Sequence, residues 1–231
     1  MYNLYKMKTF VISLGGSVII PDAINVALLK KLRQLILYFV KKGHRFVLVA
    51  GGGRINREYN KAAKKLGKVK AQDLDWLGIA ATKMNAELIR VIFSEYAYEK
   101  VVYNPTVKVK TNKKIIVGSG WWPGCSSDKD TVLLAKQFKA KEVINLFDKD
   151  YVYDKDPDKF RDAKPFKQIK WFDYLKIIGT KWQPRLSTPF DPEASKLARK
   201  SGIKVIILKG TNLNNLANYL AGRKFKGTVI K

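Results

Sequence analysis

The residues able to do chemistry in this chain gather at three glycine-rich turns and one acidic loop. The first turn lies in Arg45–Tyr59, RFVLVAGGGRINREY. Phe46–Ala50 is a short apolar run with β-forming valines, the composition of a buried strand. Gly51, Gly52 and Gly53 stop it, and Asn56–Lys65 reads as a helix. A strand ending in glycines that open onto a helix is suited to phosphate. Glycine lets the backbone approach an anion, and the free N–H groups of the helix start point at it. Arg57, about one turn into that helix, offers a bidentate fork for phosphate oxygens. The spacing fits neither G-x-G-x-x-G nor G-x-x-x-x-G-K-[ST], so the dinucleotide and P-loop readings lose their main support.

Two more turns repeat the theme. Gly15, Gly16 and Ser17 follow the strand Thr9–Ser13 after a single Leu14. Gly118–Asp130, GSGWWPGCSSDKD, sets Trp121, Trp122, Pro123 and Cys125 among Gly118, Gly120 and Gly124. Ser126, Ser127 and Asp128 follow, and Ser127 or Asp128 can cap a helix over Thr131–Phe138. Hydroxyls and amides at a helix start suit a phosphate. The tryptophans can contact a base, although tryptophans in a turn more often pack. Cys125 has no histidine near it in sequence and reads as a small neutral wall residue rather than a nucleophile. The acidic loop follows the strand Glu142–Leu146 and contains Phe147, Asp148, Tyr153 and Asp156. Carboxylates just past a strand end can organise Mg²⁺ or basic residues around a nucleotide, or form a solvated loop. Asp191-Pro192 opens a helix over Glu193–Ser201 in the Asp N-cap, Pro N1 arrangement, with Lys196 one turn in.

The elements that position these residues alternate. After the first glycine pair, Asp22 or Asn25 can cap a helix over Val26–Lys42, whose Leu28, Leu29, Leu32, Leu35, Ile36 and Phe39 follow helical spacing. Gly43 ends it before the central strand. This is a βαβ unit with both glycine turns at carboxyl ends of strands, where ligands bind in open α/β sheets. Gln72–Phe93 reads as a long helix, Val101–Val102 and Ile115–Val117 as short strands, and Trp171–Ile178 as a short helix. Gly179–Pro192, rich in Pro and Ser/Thr, reads as a mobile connection. Val205–Leu208, Leu213–Leu220 and Thr228–Ile230 complete the alternation as strand, helix and strand. The fold class is α/β, a three-layer sandwich with a mainly parallel central sheet and helices on both faces.

Composition narrows the function classes. The 231 residues suffice for one large domain or two joined lobes, and 46% hydrophobic with 28% charged residues supports a full core. No apolar run reaches the ~18 residues of a membrane helix. The amino terminus lacks a signal-peptide pattern and Cys125 is the single cysteine, so a reducing cytoplasm is the expected location. The formal charge of +26 invites nucleic acid, but the lysines are dispersed and no nucleic-acid motif accompanies them. A solvated lysine-rich surface is the favoured reading, with no specific nucleic acid and no membrane as partner.

LGGSVIIPD, VAGGGRINREY, LDWLGIAATKMNAELI, WWPGCSSD, YVYDKDP and FDPEASKLA stand in an order that resembles the amino acid kinase family, and within it the archaeal-type uridylate kinases. The resemblance runs from Phe10 to Ile230. It implies a single domain over residues 1–231, with an acceptor lobe of about residues 1–138 and an ATP lobe of about 139–231. It implies transfer of the ATP γ-phosphoryl group to UMP in pyrimidine nucleotide biosynthesis, with Mg²⁺ held mainly by nucleotide phosphates, and assembly as a hexamer built from dimers. By the same resemblance Gly52, Asp75, Trp121, Trp122, Pro123, Gly124, Cys125, Ser126 and Ser127 contact UMP. Gly16, Ser17, Gly53, Arg57, Phe147, Asp148, Tyr153, Asp156 and Lys196 contact ATP, and Arg57, Asp148 and Lys196 take the catalytic roles. Ser13 stands where many relatives carry a lysine, and Phe147 where a small hydroxyl residue is common. Two readings compete: another small-molecule kinase of the same fold, such as isopentenyl phosphate kinase, and a nucleotide-binding protein without catalysis. The first family uses a histidine soon after its glycine triplet. The one histidine here, His44, precedes the strand and reads as a surface residue.

Overall fold

The computed structural model describes residues 7–181 and 188–231. Its centre is β1 (Thr9–Leu14), flanked by β2 (Arg45–Ala50) and β4 (Glu142–Phe147). With β3 (Ile115–Gly118) and β8 (Lys204–Lys209) these form five parallel strands. β9 (Thr228–Ile230) adds antiparallel to β8, and β7 (Gln168–Ile169) lies parallel beside β9. The order is β3-β2-β1-β4-β8-β9-β7. A separate two-stranded ribbon joins β5 (Val152–Tyr153) to β6 (Pro165–Phe166).

Alternation along each buried strand decides what each layer receives. Ile12 and Leu14, Phe46 and Leu48, and Ile144 and Leu146 face one side. There they pack on α2 (Val26–Lys41), α4 (Ala71–Ile92) and α8 (Leu213–Leu220). Val11, Val47, Val143 and Val205 face the other side, against α5 (Ser127–Gln137), α6 (Trp171–Ile178) and α7 (Pro192–Lys200). By the same period Ser13 joins the valine face, and its register partner on β4 is Asn145. These two buried polar side chains sit at the carboxyl ends of adjacent strands, under the edge where the glycine turns emerge. The remaining helices, α1 (Gly16–Ile19) and α3 (Gly53–Leu66), start at those turns.

The three-layer α/β reading holds, and its differences from the structure are local. Asn25 is the cap of α2, accepting the Leu28 N–H at 3.1 Å, while Asp22 pairs with Arg54. α5 begins at Ser127, four residues earlier than expected, because the Ser126 hydroxyl caps it by accepting the Asp128 N–H. α3 starts at Gly53, so the last glycine of the triplet is already helical in hydrogen bonding. Val102 makes only a bridge to Gly118. β5, β6 and β7 are two residues each, too short to carry a period. His44 is a correction: it is buried against Phe10 and Phe39, and its Nδ1 accepts the Lys8 N–H. Burial, with Lys8 and Lys42 nearby, lowers its pKa and keeps it neutral. The connection at Gly179–Pro192 is described up to Lys181 and from Thr188; its middle lies outside the described residues.

The first two glycine turns interlock. A Cβ on Gly16 would lie 1.9 Å from the Gly53 nitrogen, and one on Gly53 would lie 2.5 Å from the Gly16 carbonyl oxygen. Gly53 also has φ +65, a conformation that strains any L side chain. Gly16→Ala must push backbone against backbone, so it should destabilise by about 3 kcal/mol or more. Gly67, extended and with nothing within 4 Å of a new Cβ, is the control: Gly67→Ala should stay within about 0.5 kcal/mol. Denaturant titration of both variants checks this pair of outcomes.

Candidate active site

Two cavities open at the carboxyl edge of the sheet, one on each side of the interlocked turns. The first, of about 210 Å³, is walled by Gly52, Asn56 and Asn60 from α3 and by Leu74, Asp75, Gly78, Ile79 and Thr82 from α4. Gly120, Trp122, Cys125, Ser126, Ser127 and Asp130 close it from the third glycine turn. The second, of about 530 Å³, is walled by Phe147, Asp148, Tyr153 and Asp156 of the acidic loop, with Ile177, Ile178, Thr188 and Pro189 opposite.

A short chain of contacts joins them. Gly52 lines the first cavity, Gly53 abuts Gly16, and the Gly15 N–H donates to the Leu146 carbonyl at 3.1 Å. The next residue, Phe147, lines the second cavity. Asn85 steadies the turn from behind, its Nδ2 donating to the Gly51 carbonyl at 2.7 Å and the Gly52 carbonyl at 3.1 Å. The start of α3 has no side-chain cap, and the Ile20 carbonyl takes the Arg54 N–H at 3.1 Å, so only the other N–H groups of that first turn can meet an anion.

A second bridge is made of carboxylates. Asp191 caps α7, accepting the Ala194 N–H at 2.8 Å, and also accepts the N–H and hydroxyl of Ser126 on the wall of the first cavity. Asp128 accepts the Ser13 hydroxyl at 2.9 Å and the Asp191 N–H at 3.3 Å. Neighbouring Phe190 is fixed by Tyr174, whose buried hydroxyl donates to the Phe190 carbonyl and accepts its N–H. Asn145 donates to the Pro189 carbonyl. Thus the first-cavity serines and the second-cavity segment Thr188–Pro189 are tied to the same strand ends. Burial, with Asp191 beside it, pushes the Asp128 carboxyl up to about 7. Burial likewise pushes Asp130, which accepts the Trp121 N–H, up to about 8. Asp191 is raised in the same direction for the same reason. Burial, with Asp130 close by, pushes the Cys125 thiol to about 12, so it forms a neutral wall rather than a thiolate.

The expected residues fall into groups. Gly52, Asp75, Trp122, Cys125, Ser126 and Ser127 meet in the first cavity. Trp121 and Pro123 border an adjoining compartment of about 290 Å³ that shares Trp122, Cys125 and Asp130 with it. Gly124 donates its N–H to Asp75 at 2.8 Å, tying α4 to the third turn. Phe147, Asp148, Tyr153 and Asp156 meet in the second cavity. Gly16, Ser17 and Gly53 line neither and form or adjoin the interlock. Arg57 donates to the Pro21 carbonyl at 3.2 Å. Lys196 is exposed on α7, its Nζ 2.7 Å from both the Thr180 carbonyl and Glu193, and it lines neither cavity. Sequence reasoning missed Asn56, Asn60, Thr82, Asp130 and the Asp128–Asp191 bridge. The available sign was that two helices opening at the same sheet edge each begin with an aspartate. Among the described residues, no group of three or more His, Cys, Asp or Glu side chains is arranged to hold a metal ion. No helix among them is long and apolar enough to cross a membrane.

Paired cavities at the carboxyl edge of a parallel sheet, divided by glycine turns and a helix start, define an α/β protein built around anionic groups. Residues 8–209 match the model of the amino acid kinase family, and the chain belongs to that family. It is 33% identical over 214 residues to a uridylate kinase of Sulfurisphaera tokodaii, covering 91% of this chain and 94% of that one. It is 33% identical over 224 residues to a uridylate kinase of Pyrococcus abyssi, covering 96% and 98%. The crystal structure of uridylate kinase from Archaeoglobus fulgidus superposes with a TM-score of 0.79 at 28% identity, covering 98% of this chain and all of that one.

The raised carboxyl groups set the sign of a pH effect. Asp130 titrates near 4 when unfolded and at about 8 when folded. The folded state therefore holds the proton more tightly, and stability drawn from this group is full below pH 4 and lost as pH rises through 8. Stability should fall between about pH 5 and pH 8.5. Asp130→Asn keeps an acceptor for the Trp121 N–H and removes the titration, so it should recover about 2–4 kcal/mol of that fall. Urea melts at the two pH values measure the difference.

Proposed function

We propose that the protein transfers the γ-phosphoryl group of ATP to UMP, giving ADP and UDP, a step of pyrimidine nucleotide biosynthesis. The observation that carries the reading is that Gly52 lines the first cavity while Phe147, next to the Leu146 carbonyl that the Gly15 N–H binds, lines the second, so the glycine turns link the two. UMP takes the first cavity and ATP the second, so the acceptor lobe is about residues 1–138 and the ATP lobe about 139–231. Their phosphates meet over the Gly16–Gly53 contact, which has no room for a side chain, with Ser17 beside it.

Transfer between two phosphates needs positioning and charge neutralisation more than a nucleophilic side chain. A UMP phosphate oxygen is already a nucleophile, so no strong base is required, in keeping with a site of neutral serines and raised carboxyls. Gly53 and Arg57, with backbone N–H groups at the start of α3, contact the phosphates where the two nucleotides meet. Lys196 exchanges Glu193 and the Thr180 carbonyl for an ATP phosphate, taking over where Ser13 supplies no charge. Phe147, Asp148, Tyr153 and Asp156 hold ATP. Mg²⁺, held mainly by the ATP phosphates, would supply charge neutralisation, and the exposed carboxylate of Asp148 would take waters of its hydration shell. The assembly is a hexamer built from dimers, a reading that rests on the family resemblance.

A coupled ADP-release assay over a panel of nucleoside monophosphates, isopentenyl phosphate and amino acids tests this. UMP should give the highest kcat/KM, and activity with isopentenyl phosphate or an amino acid but not UMP would overturn the reading. Within the same assay, Asp75→Asn keeps an acceptor for the Gly124 N–H but loses the charge that holds the UMP ribose. It should raise the KM for UMP about 10-fold or more and leave that for ATP within about twofold. Equal losses for both nucleotides would make Asp75 a structural residue only.

A further inference from the structure

The first cavity contains a side chain that nothing in the fold explains. Asn60, on the second turn of α3, is 2% exposed, and its Nδ2 donates to Asn56 Oδ1 at 2.7 Å. Its own Oδ1 is buried with no hydrogen-bond partner among the described residues. A buried carbonyl oxygen without a donor is costly, and native folds keep few of them. Both asparagines line the cavity.

The pair is also built for. Asn56 sits between Gly52, the residue before α3, and Gly78 of α4. A Cβ on Gly52 would come within 2.8 Å of Asn56 Cβ, and one on Gly78 within 3.2 Å of Asn56 Oδ1. Glycines at the entry to α3 and within α4 thus leave room for this amide, which in turn fixes the Asn60 amide. Hydrophobic residues of similar size would fill the α3–α4 seam without an orphan polar atom. The cavity floor instead presents one unmatched acceptor, Asn60 Oδ1, and the Asn56 Nδ2 hydrogens, which donate to no acceptor among the described residues.

We propose that the Asn56–Asn60 amide pair reads the base of the acceptor nucleotide, with Asn60 Oδ1 accepting the N3–H of a pyrimidine imide and Asn56 Nδ2 donating to a carbonyl beside it. This rests on the kinase reading above and adds a specificity residue to it. Asp75 faces the same cavity from α4 and is occupied with the Gly124 N–H, so the ribose and the base meet different walls. A site that hydrogen-bonds a substrate N–H rejects the analogue lacking it strongly, because the buried partner is then left unpaired.

The test uses UMP, 3-methyl-UMP, which lacks the N3–H, and 2′-deoxy-UMP, with ADP release as readout and thermal melts as a folding check. The wild type should use 3-methyl-UMP at least about 10²-fold less well than UMP. Asn60→Leu should raise the KM for UMP about 10–100-fold, leave kcat and the KM for ATP within about twofold, and shrink the discrimination against 3-methyl-UMP to a few-fold. Its discrimination against 2′-deoxy-UMP should stay at the wild-type value. Asn60→Ala serves if the leucine variant fails to fold, and the wild-type comparison of UMP with 3-methyl-UMP needs no variant. A wild type that accepts both equally well overturns the proposal, as does an Asn60→Leu protein that keeps its UMP KM or that loses discrimination at the ribose instead. A wild type with no UMP-dependent ADP release at all would overturn the kinase reading itself, a result distinguishable from these.

Discussion

The constraint on which the rest of the site depends is the backbone contact between Gly16 and Gly53. Neither position has space for a Cβ, and the chain at Gly53 adopts a left-handed conformation. With side chains excluded, the ends of β1 and β2 approach closely enough for α1 and α3 to start side by side. That closeness places uncapped N–H groups beside a cavity on one flank and, through Gly15 and Leu146, the acidic loop on the other. The parallel sheet makes this possible because its strands deliver all their carboxyl ends to one edge.

Around that contact the protein is held by polar groups at the ends of apolar strands. Ser13 and Asn145 face the side where α5 and α7 begin, and there they meet Asp128 and the Pro189 carbonyl. Asp191 completes the link by holding Ser126 while capping α7. The carboxylates lie close together in a buried place, and desolvation raises each of them. Carboxyl groups raised by burial cost stability as the pH rises, and these stand at the joint between the two cavities. That placement connects Ser126 on the wall of the first cavity to the Thr188–Pro189 wall of the second through two aspartates.

Much of this was legible in the sequence. Short apolar runs punctuated by glycine made the α/β alternation readable, because buried parallel strands are continuous apolar segments and their turns need glycine. Gly52 and Ser126, expected from the family resemblance, line the first cavity, and Asp148 of the acidic loop lines the second, because each follows a strand end that the sequence already marked. Asn56, Asn60 and Thr82 were not legible. They lie mid-helix, where a polar residue looks like solvated surface until the packing of α3 on α4 turns it inward. Asp191 was legible only as a cap, and Asp128 was read as a possible cap where Ser126 in fact caps α5; their contact needs two helices whose starts lie 63 residues apart to meet at one edge. His44 was misread because a charged, lysine-rich neighbourhood concealed its packing between Phe10 and Phe39.

The central claim is that the two cavities are halves of one site, with phosphates meeting over the interlocked glycines. Calorimetric binding of a bisubstrate analogue, uridine and adenosine joined 5′ to 5′ by a polyphosphate of matching length, tests it directly. Joining the halves removes the cost of bringing two ligands together, so the analogue should bind at least about 10²-fold tighter than either nucleotide and displace both. An analogue that binds no tighter than ATP and leaves UMP binding unchanged would show that the cavities do not form a common site.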